Sequence, residues 1–105
     1  MPEYKIKPII TTHNEQLWIM FGEINDMPIS MIQDGIDTCN LALEGKKGYN
    51  WGLDVFELMI DKETSVLEYH GEFITKISTK DILKILQDYK KALDYFQNNP
   101  SHSDD

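Results

Sequence analysis

The C-terminal part of the chain carries the pattern that most restricts the fold. In the segment STKDILKILQDYKKALDYFQ, apolar residues recur every three or four positions and form one continuous stripe: Ile82, Ile85, Leu86, Tyr89, Leu93 and Phe96. A helix with a single apolar stripe needs another apolar surface to pack on. Ser78 or Thr79 is suited to cap its start, and Asp81 complements the helix dipole. We therefore expect a long C-terminal helix that packs on a sheet.

The preceding segment supplies that sheet. LDVFELMID and SVLEYHGEFITKIS are rich in β-branched and aromatic residues, and the turn-forming DKET separates them. A hairpin closed there pairs Phe56 with Tyr69, Leu58 with Leu67, Met59 with Val66, and Glu57 with Glu68. The first two pairs lie on one face, which becomes the core side. A break near Gly71 then leads into a third strand, in which Phe73 and Ile77 alternate with polar residues.

The first half of the chain predicts one helix and two short strands. In SMIQDGIDTCNLALEG, Ser30 and Gln33 are spaced as a capping box. An apolar stripe at helical spacing follows, and Gly45 stands where a left-handed helix cap favours glycine. The stripe consists of Ile29, Ile32, Ile36, Cys39 and Leu43. Residues 4–12 and 17–24 are short and apolar, and we predict strands there, although 17–24 also fits the opening of a helix.

These elements predict an α+β fold: an antiparallel sheet of three to five strands, with a central helix and a C-terminal helix packed on it. The 105 residues have the length of one domain, which we place at residues 1–97. The segment NNPSHSDD, residues 98–105, is typical of a disordered acidic tail.

The cysteine content and the hydropathy of the chain indicate its compartment. Cys39 is the single cysteine, so an intrachain disulfide is excluded and a reducing compartment is favoured. No segment approaches the about 20 apolar residues that span a bilayer. We expect a soluble, cytoplasmic protein without a membrane partner.

The charge distribution is the most informative functional signal. The formal net charge is −8, from 18 acids against 10 lysines, and the chain contains no arginine. Arginine is favoured for bidentate phosphate contacts, so its absence argues against a nucleic-acid partner. Carboxylates dominate residues 8–45 and 54–72, whereas lysines dominate residues 76–91. Acidity alone can serve solubility. Alternatively, it forms a face for a basic partner.

The stretch GKKGYNWG, residues 45–52, is the best candidate for a nucleic-acid contact, but it is better explained as a turn. A P-loop needs Ser or Thr after the lysine and then a helix, and a KH-type GxxG loop also leads into a helix. Here YNWGLDVF predicts a turn and then a strand, with Tyr49 and Trp51 as anchors to the core. Weak nucleic-acid binding through Lys46, Lys47 and the C-terminal helix is an alternative.

No arrangement of side chains predicts catalysis or a metal site. The three histidines (His13, His70 and His102) lack the spacing of metal ligands. Cys39 belongs to an apolar stripe, as expected for a small buried residue. No Ser/His/Asp or Cys/His order is recognisable. We expect a protein that is not an enzyme and that has no catalytic residue, metal or cofactor.

Two acidic surfaces are the candidates for a binding site. On the central helix, four residues recur opposite the buried stripe, with Asp37 alongside: Met31, Asp34, Thr38 and Leu41. On the hairpin face away from the core, Glu57 lies opposite Glu68, a like-charge pair that is unfavourable unless Lys76 or a basic partner relieves it. The predicted binding residues are Asp34, Asp37, Glu57, Glu68 and Glu72, with Met31 and Leu41 as apolar anchors.

Residues 49–93 resemble the small immunity proteins of bacterial toxin systems. The features are an aromatic-Gly-x-Asp-x-Phe-Glu motif at residues 51–57, MID at the end of a strand, and STKDILKIL at the start of a terminal helix. The likeness is greatest to proteins that protect against contact-dependent growth-inhibition toxins. It implies a small, acidic, cytoplasmic, non-enzymatic protein that binds the C-terminal domain of its toxin, often a basic nuclease. It assigns no role to an individual residue.

The sequence thus leads to the hypothesis of an immunity protein that neutralises a cognate toxin domain, a basic nuclease, through an acidic surface. The alternative is an acidic protein-interaction or regulatory module without a toxin partner.

Overall fold

A computed structural model describes residues 7–46, 49–52 and 55–98. The strands are β1 (Tyr49–Gly52), β2 (Phe56–Ile60), β3 (Thr64–Tyr69) and β4 (Glu72–Ser78), and they form one antiparallel sheet in the order β1-β2-β3-β4. The helices are α1 (Trp18–Asn25), preceded by a 3-10 turn at Glu15–Leu17, α2 (Ile29–Leu43) and α3 (Thr79–Asn98). The predicted α+β class, with a central and a C-terminal helix against an antiparallel sheet, is confirmed. Residues 99–105 of the predicted tail lie outside the described ranges.

The pairing of β2 with β3 has the register that the sequence predicts. Phe56 faces Tyr69, Glu57 faces Glu68, Leu58 faces Leu67, and Met59 faces Val66. Side chains alternate across a strand. Phe56, Leu58 and Leu67 are almost fully buried, beneath the helices. The residues between them therefore point to the other face of the sheet, which none of the described helices covers.

The hairpin between β3 and β4 closes on a two-residue turn. His70 and Gly71 both have positive φ, 51° and 82°, as in the tight turns that match the twist of two antiparallel strands. Tyr69 consequently pairs with Glu72. The predicted break near Gly71 is confirmed.

The predicted regular alternation of Phe73 and Ile77 in β4 is wrong, because the strand contains a bulge. The pairs on either side of it are Leu67 with Thr75, and Glu68 with Phe73. Ile74 is thus an extra residue, and an extra residue moves the following side chains to the opposite face. Phe73 points away from the helices, whereas Ile77 packs against the core.

Residues 49–52 form a strand rather than the predicted turn, and they are paired along their full length with β2. Trp51 is the predicted anchor: its ring is buried, its Nε1 donates to the Met31 carbonyl at 3.0 Å, and it meets Phe56 edge to face at 5.8 Å. The side chain of Tyr49, the other predicted anchor, lies outside the described part of the chain. Lys47 and Gly48 lie outside it as well.

Helix α2 buries most of its predicted stripe but starts differently from the prediction. Its N-cap is Pro28, which makes no side-chain cap hydrogen bond, and the helix begins at Ile29, two residues earlier than a cap at Ser30 requires. Ser30 is therefore inside the first turn, and the Gln33 amide donates instead to the Asp37 carboxylate at 2.8 Å. The predicted capping box is wrong, because proline fixes the extended backbone from which the helix starts.

The C-terminus of α2 ends on glycine as predicted. Gly45 has a φ of +83°, its N–H donates to the Ala42 carbonyl at 2.9 Å, and the N–H of Lys46 donates to the Leu41 carbonyl at 3.1 Å. This pair of bonds is the Schellman motif, which needs a left-handed residue. The first glycine of the GKKG stretch therefore has a structural role.

The predicted strand at residues 17–24 is wrong, because this segment belongs to the 3-10 turn and α1. Asn14 caps the turn by accepting from the N–H of Gln16 at 2.9 Å. Met20, Phe21 and Ile24 are buried together, which is the spacing of one helix face. A short apolar run fits both a strand and a helix, and here the helix occurs.

Residues 7–12 are not a strand either; residues 4–6 of that prediction lie outside the described ranges. The Asn25 side chain holds this segment, since it donates to the Ile10 carbonyl at 2.9 Å and accepts from the Ile10 N–H at 2.7 Å. An amide side chain thus satisfies the backbone groups that a neighbouring strand would otherwise pair.

Thr79 joins the start of α3 to the β2–β3 connection. Its buried hydroxyl donates to the Asp61 carbonyl and lies 2.8 Å from the Ser65 hydroxyl, while its N–H donates to the Glu63 carbonyl at 3.0 Å. These contacts fix the angle at which α3 leaves the sheet.

We predict opposite effects for alanine at two helical glycines. A Cβ at Gly35 would lie 2.7 Å from the Trp51 ring and 2.8 Å from Leu86, whereas a Cβ at Gly22 meets nothing within 4 Å. Gly35→Ala should lower the free energy of unfolding by about 1–2 kcal/mol, since overpacking exceeds the gain in helix propensity. Gly22→Ala should raise it by about 0.5–1 kcal/mol. Urea titration of both variants checks this, and stabilisation by Gly35→Ala would contradict the packing of α2 on Trp51.

Candidate functional site

The face of the sheet that points away from the helices, called the open face below, carries two rows of residues across the strands. The acidic row consists of Gly52, Glu57, Glu68 and Phe73, from β1 to β4. The mixed row consists of Asn50, Met59, Val66 and Lys76. The rows are two residues apart along each strand except β4, where the bulge inserts one more.

No lysine of residues 7–46, 49–52 and 55–98 forms an ion pair with the two carboxylates of the acidic row. Directly paired residues hold their Cβ atoms about 5 Å apart, so Glu57 and Glu68 repel each other. Within the described ranges neither side chain has an ion pair or a hydrogen bond; the ion pairs found there join Lys84 to Asp88 and Lys90 to Asp94 within α3. Lys76 shares the open face but forms no ion pair with either. Relief of the repulsion by Lys76 stays a prediction, which would act at a distance longer than an ion pair.

Apolar side chains flank this pair. Phe73 ends the acidic row and is 58% exposed, and Met59 and Val66 in the other row are half-buried. Aromatic residues and methionine are enriched at protein interfaces. The open face therefore combines uncompensated negative charge with apolar contact area.

Phe73 is the residue that the sequence prediction missed. A signal for it exists, because a two-residue turn at His70 and Gly71 pairs Tyr69 with Glu72 and hence Glu68 with Phe73. Extending the strand alternation back from Ile77 gives the wrong face, since the bulge lies between the two residues.

Glu72, a predicted binding residue, does not share the open face. It pairs with Tyr69, which pairs in turn with the buried Phe56 on the helix-covered side. Glu72 is exposed beside the hairpin turn. Of the three predicted acids on the sheet, Glu57 and Glu68 are brought together.

The predicted residues on α2 form a separate surface. Asp34 and Asp37 are exposed, Leu41 is 39% exposed, and Met31 is partly buried against the core. Helix α2 packs on the face of the sheet that Leu58 shares, so the sheet lies between this surface and the open face. The seven predicted residues do not form one continuous site.

Three potentially reactive side chains of the described residues are buried or hydrogen-bonded to the backbone. Cys39 has no exposed surface, and burial raises the pKa of its thiol to about 11. The Tyr69 hydroxyl donates to the Gln16 carbonyl, and the Tyr89 hydroxyl donates to the Pro8 carbonyl. In residues 7–46, 49–52 and 55–98, no group of three or more His, Cys, Asp or Glu side chains is arranged to hold a metal ion.

Comparisons of the chain with protein-family models, with curated proteins and with solved structures find no match. Among the described helices, none has the length and apolar character needed to cross a membrane.

We predict that removing one charge of the acidic row stabilises the free protein. Glu57→Gln ends the repulsion with Glu68, so the free energy of unfolding should rise by about 0.5 kcal/mol. Glu72→Gln is the matched control, because it changes the net charge equally at a position opposite Tyr69. Urea denaturation at low salt measures the difference, and equal effects of the two variants would mean that the cross-strand repulsion is absent.

Cys39 should be protected from thiol reagents in the folded protein. Its pKa rises from 9.0 to about 11, so the folded chain holds about 100-fold less thiolate at pH 8 than the unfolded chain. Alkylation should be slower by at least that factor in buffer than in urea. The same shift adds stability that is fully present below pH 9 and is lost as the pH rises through about 11. Comparable alkylation rates in both states would show that Cys39 is accessible.

Proposed function

We propose that this protein is a cytoplasmic immunity protein that binds and neutralises a cognate toxin domain, a basic nuclease, through the open face. The observation that supports the proposal most strongly is the uncompensated pair of Glu57 and Glu68. A like-charge pair lowers the stability of the free protein. A basic partner removes that cost on binding and adds two favourable charge contacts.

The charge of the whole chain favours the same kind of partner. A net charge of −8 raises the rate of encounter with a basic protein by about 10- to 1,000-fold at low salt. On α3, Lys84 and Lys90 are paired with carboxylates of the same helix, which weakens the alternative of nucleic-acid binding through that helix.

We assign the toxin contact to the open face rather than to α2. A typical interface covers about 800 Å² on each partner, which is one side of a domain of this size. Phe73, Met59 and Val66 supply apolar contact area around the acids, whereas Asp37 on α2 already accepts a hydrogen bond from Gln33. Asp34 and Asp37 on α2 then contribute only to the long-range electrostatic attraction of the basic partner.

Co-expression tests the proposal. The toxin domain encoded directly upstream is induced in a host that carries the wild-type protein, Glu57→Lys/Glu68→Lys, or Asp34→Lys/Asp37→Lys. The two variants change the net charge equally, but on opposite sides of the sheet. We expect rescue of growth and co-purification with the wild type and with the α2 variant, and a dissociation constant at least about 30-fold higher for the open-face variant.

The other outcomes separate the alternatives. If the α2 variant fails and the open-face variant protects, the binding surface is on the helix layer. If the wild type does not protect against that domain, the immunity function is wrong, and the acidic interaction or regulatory module is the better description.

A further inference from the structure

We infer that the open face takes an arginine side chain of the partner, held between the carboxylates of Glu57 and Glu68 and stacked on Phe73, with an apolar partner side chain on Met59 and Val66. The partner would thus be a protein segment that presents arginine next to an apolar residue. The inference deepens the proposed function, and it rests on that function only for the identity of the partner.

The geometry of the acidic row favours arginine over lysine. Neighbouring strands lie about 4.8 Å apart, so Glu57, Glu68 and Phe73 follow one another at that spacing on three strands and project in the same direction. A guanidinium group is planar and has five N–H donors, so two of its edges can each meet one carboxylate. Its flat face can lie on the phenylalanine ring. An ammonium group is compact and strongly hydrated, so it fits the pair of carboxylates and the phenylalanine ring less well than a guanidinium group does.

The absence of arginine from this chain fits an acceptor role for the face. Within the described part of the protein, neither Glu57 nor Glu68 meets a cation, and the chain itself has no guanidinium group to offer them. A partner molecule can supply the complementary charge.

The mixed row sets the direction of the partner segment. Met59 and Val66 lie about 7 Å from the acids, which is two residues along a strand. Lys76 ends this row on β4 and repels a second cation there. A segment with arginine over the acids and an apolar residue over Met59 and Val66 satisfies both rows, whereas a uniformly basic segment places a cation beside Lys76.

Peptide titration tests the inference without any toxin. Two synthetic nine-residue peptides alternate serine with valine and differ at one central position, which is arginine in one and lysine in the other. Backbone amide shifts of the isotope-labelled protein report the site and the affinity. We expect the arginine peptide to bind about fivefold more tightly, with shifts confined to the residues of β2, β3 and β4 around the two rows.

Three variants locate the effect. Glu57→Gln/Glu68→Gln should abolish the preference for arginine. Phe73→Leu should reduce the preference while the salt-dependent attraction persists. Asp34→Asn/Asp37→Asn is the matched control, because it removes the same number of charges on α2 and should leave the preference for arginine over lysine unchanged. The amide spectrum of each free variant shows that it is folded.

The outcomes are distinct from those of co-expression. Equal affinities for the two peptides, or a preference that survives Glu57→Gln/Glu68→Gln, would overturn the arginine site. Neither result would contradict the proposal that the protein neutralises a toxin. Shifts centred on α2 would overturn the assignment to the open face. A preference for arginine at the open face, together with failed rescue, would support the site and reject the toxin as its partner.

Discussion

Burial of one face of the sheet beneath α2 and α3 is the constraint on which the other features depend. Leu58 and Leu67 have no exposed surface, and a slip of β3 by one residue against β2 would turn Leu67 toward the face that the helices do not cover. The register that protects the core therefore also brings Glu57 and Glu68 together. The repulsive pair on one side of the sheet is thus a consequence of the pairing that buries Leu58 and Leu67 on the other side.

The parts of the fold that the sequence predicts are those set by local periodicity. The pairing of β2 with β3, the stripe of α3 and the glycine stop of α2 each follow from residues close together in the chain. The parts that it does not predict depend on competing local effects. Pro28 caps α2 two residues before the predicted cap, the run at residues 17–24 fits two structures, and a bulge at Ile74 places Phe73 on the opposite face.

The candidate site likewise has a part that the sequence predicts and a part that only the folded structure shows. Composition indicates how much negative charge the protein carries, but the folded structure decides which carboxylates act together. Asp34 and Glu57 lie in the two acid-rich stretches of the sequence and project from different layers of the fold. The sequence predicts the pairing of Glu57 with Glu68, because strand register follows from the alternation of apolar residues. It does not predict the face of Phe73, because that face depends on a bulge in β4.

The bulge in β4 also affects the tendency of the protein to associate with other copies of itself through its sheet edges. An edge strand offers a row of unpaired N–H and C=O groups that can recruit the strand of another copy and build continuous fibrils. In β4 the extra residue breaks the regular spacing of that row, and at the opposite edge β1 is four residues long. Both lateral borders are thus poor templates for polymerisation. Because neither sheet edge readily pairs with another copy, the open face can expose the ring of Phe73 at a low risk of aggregation.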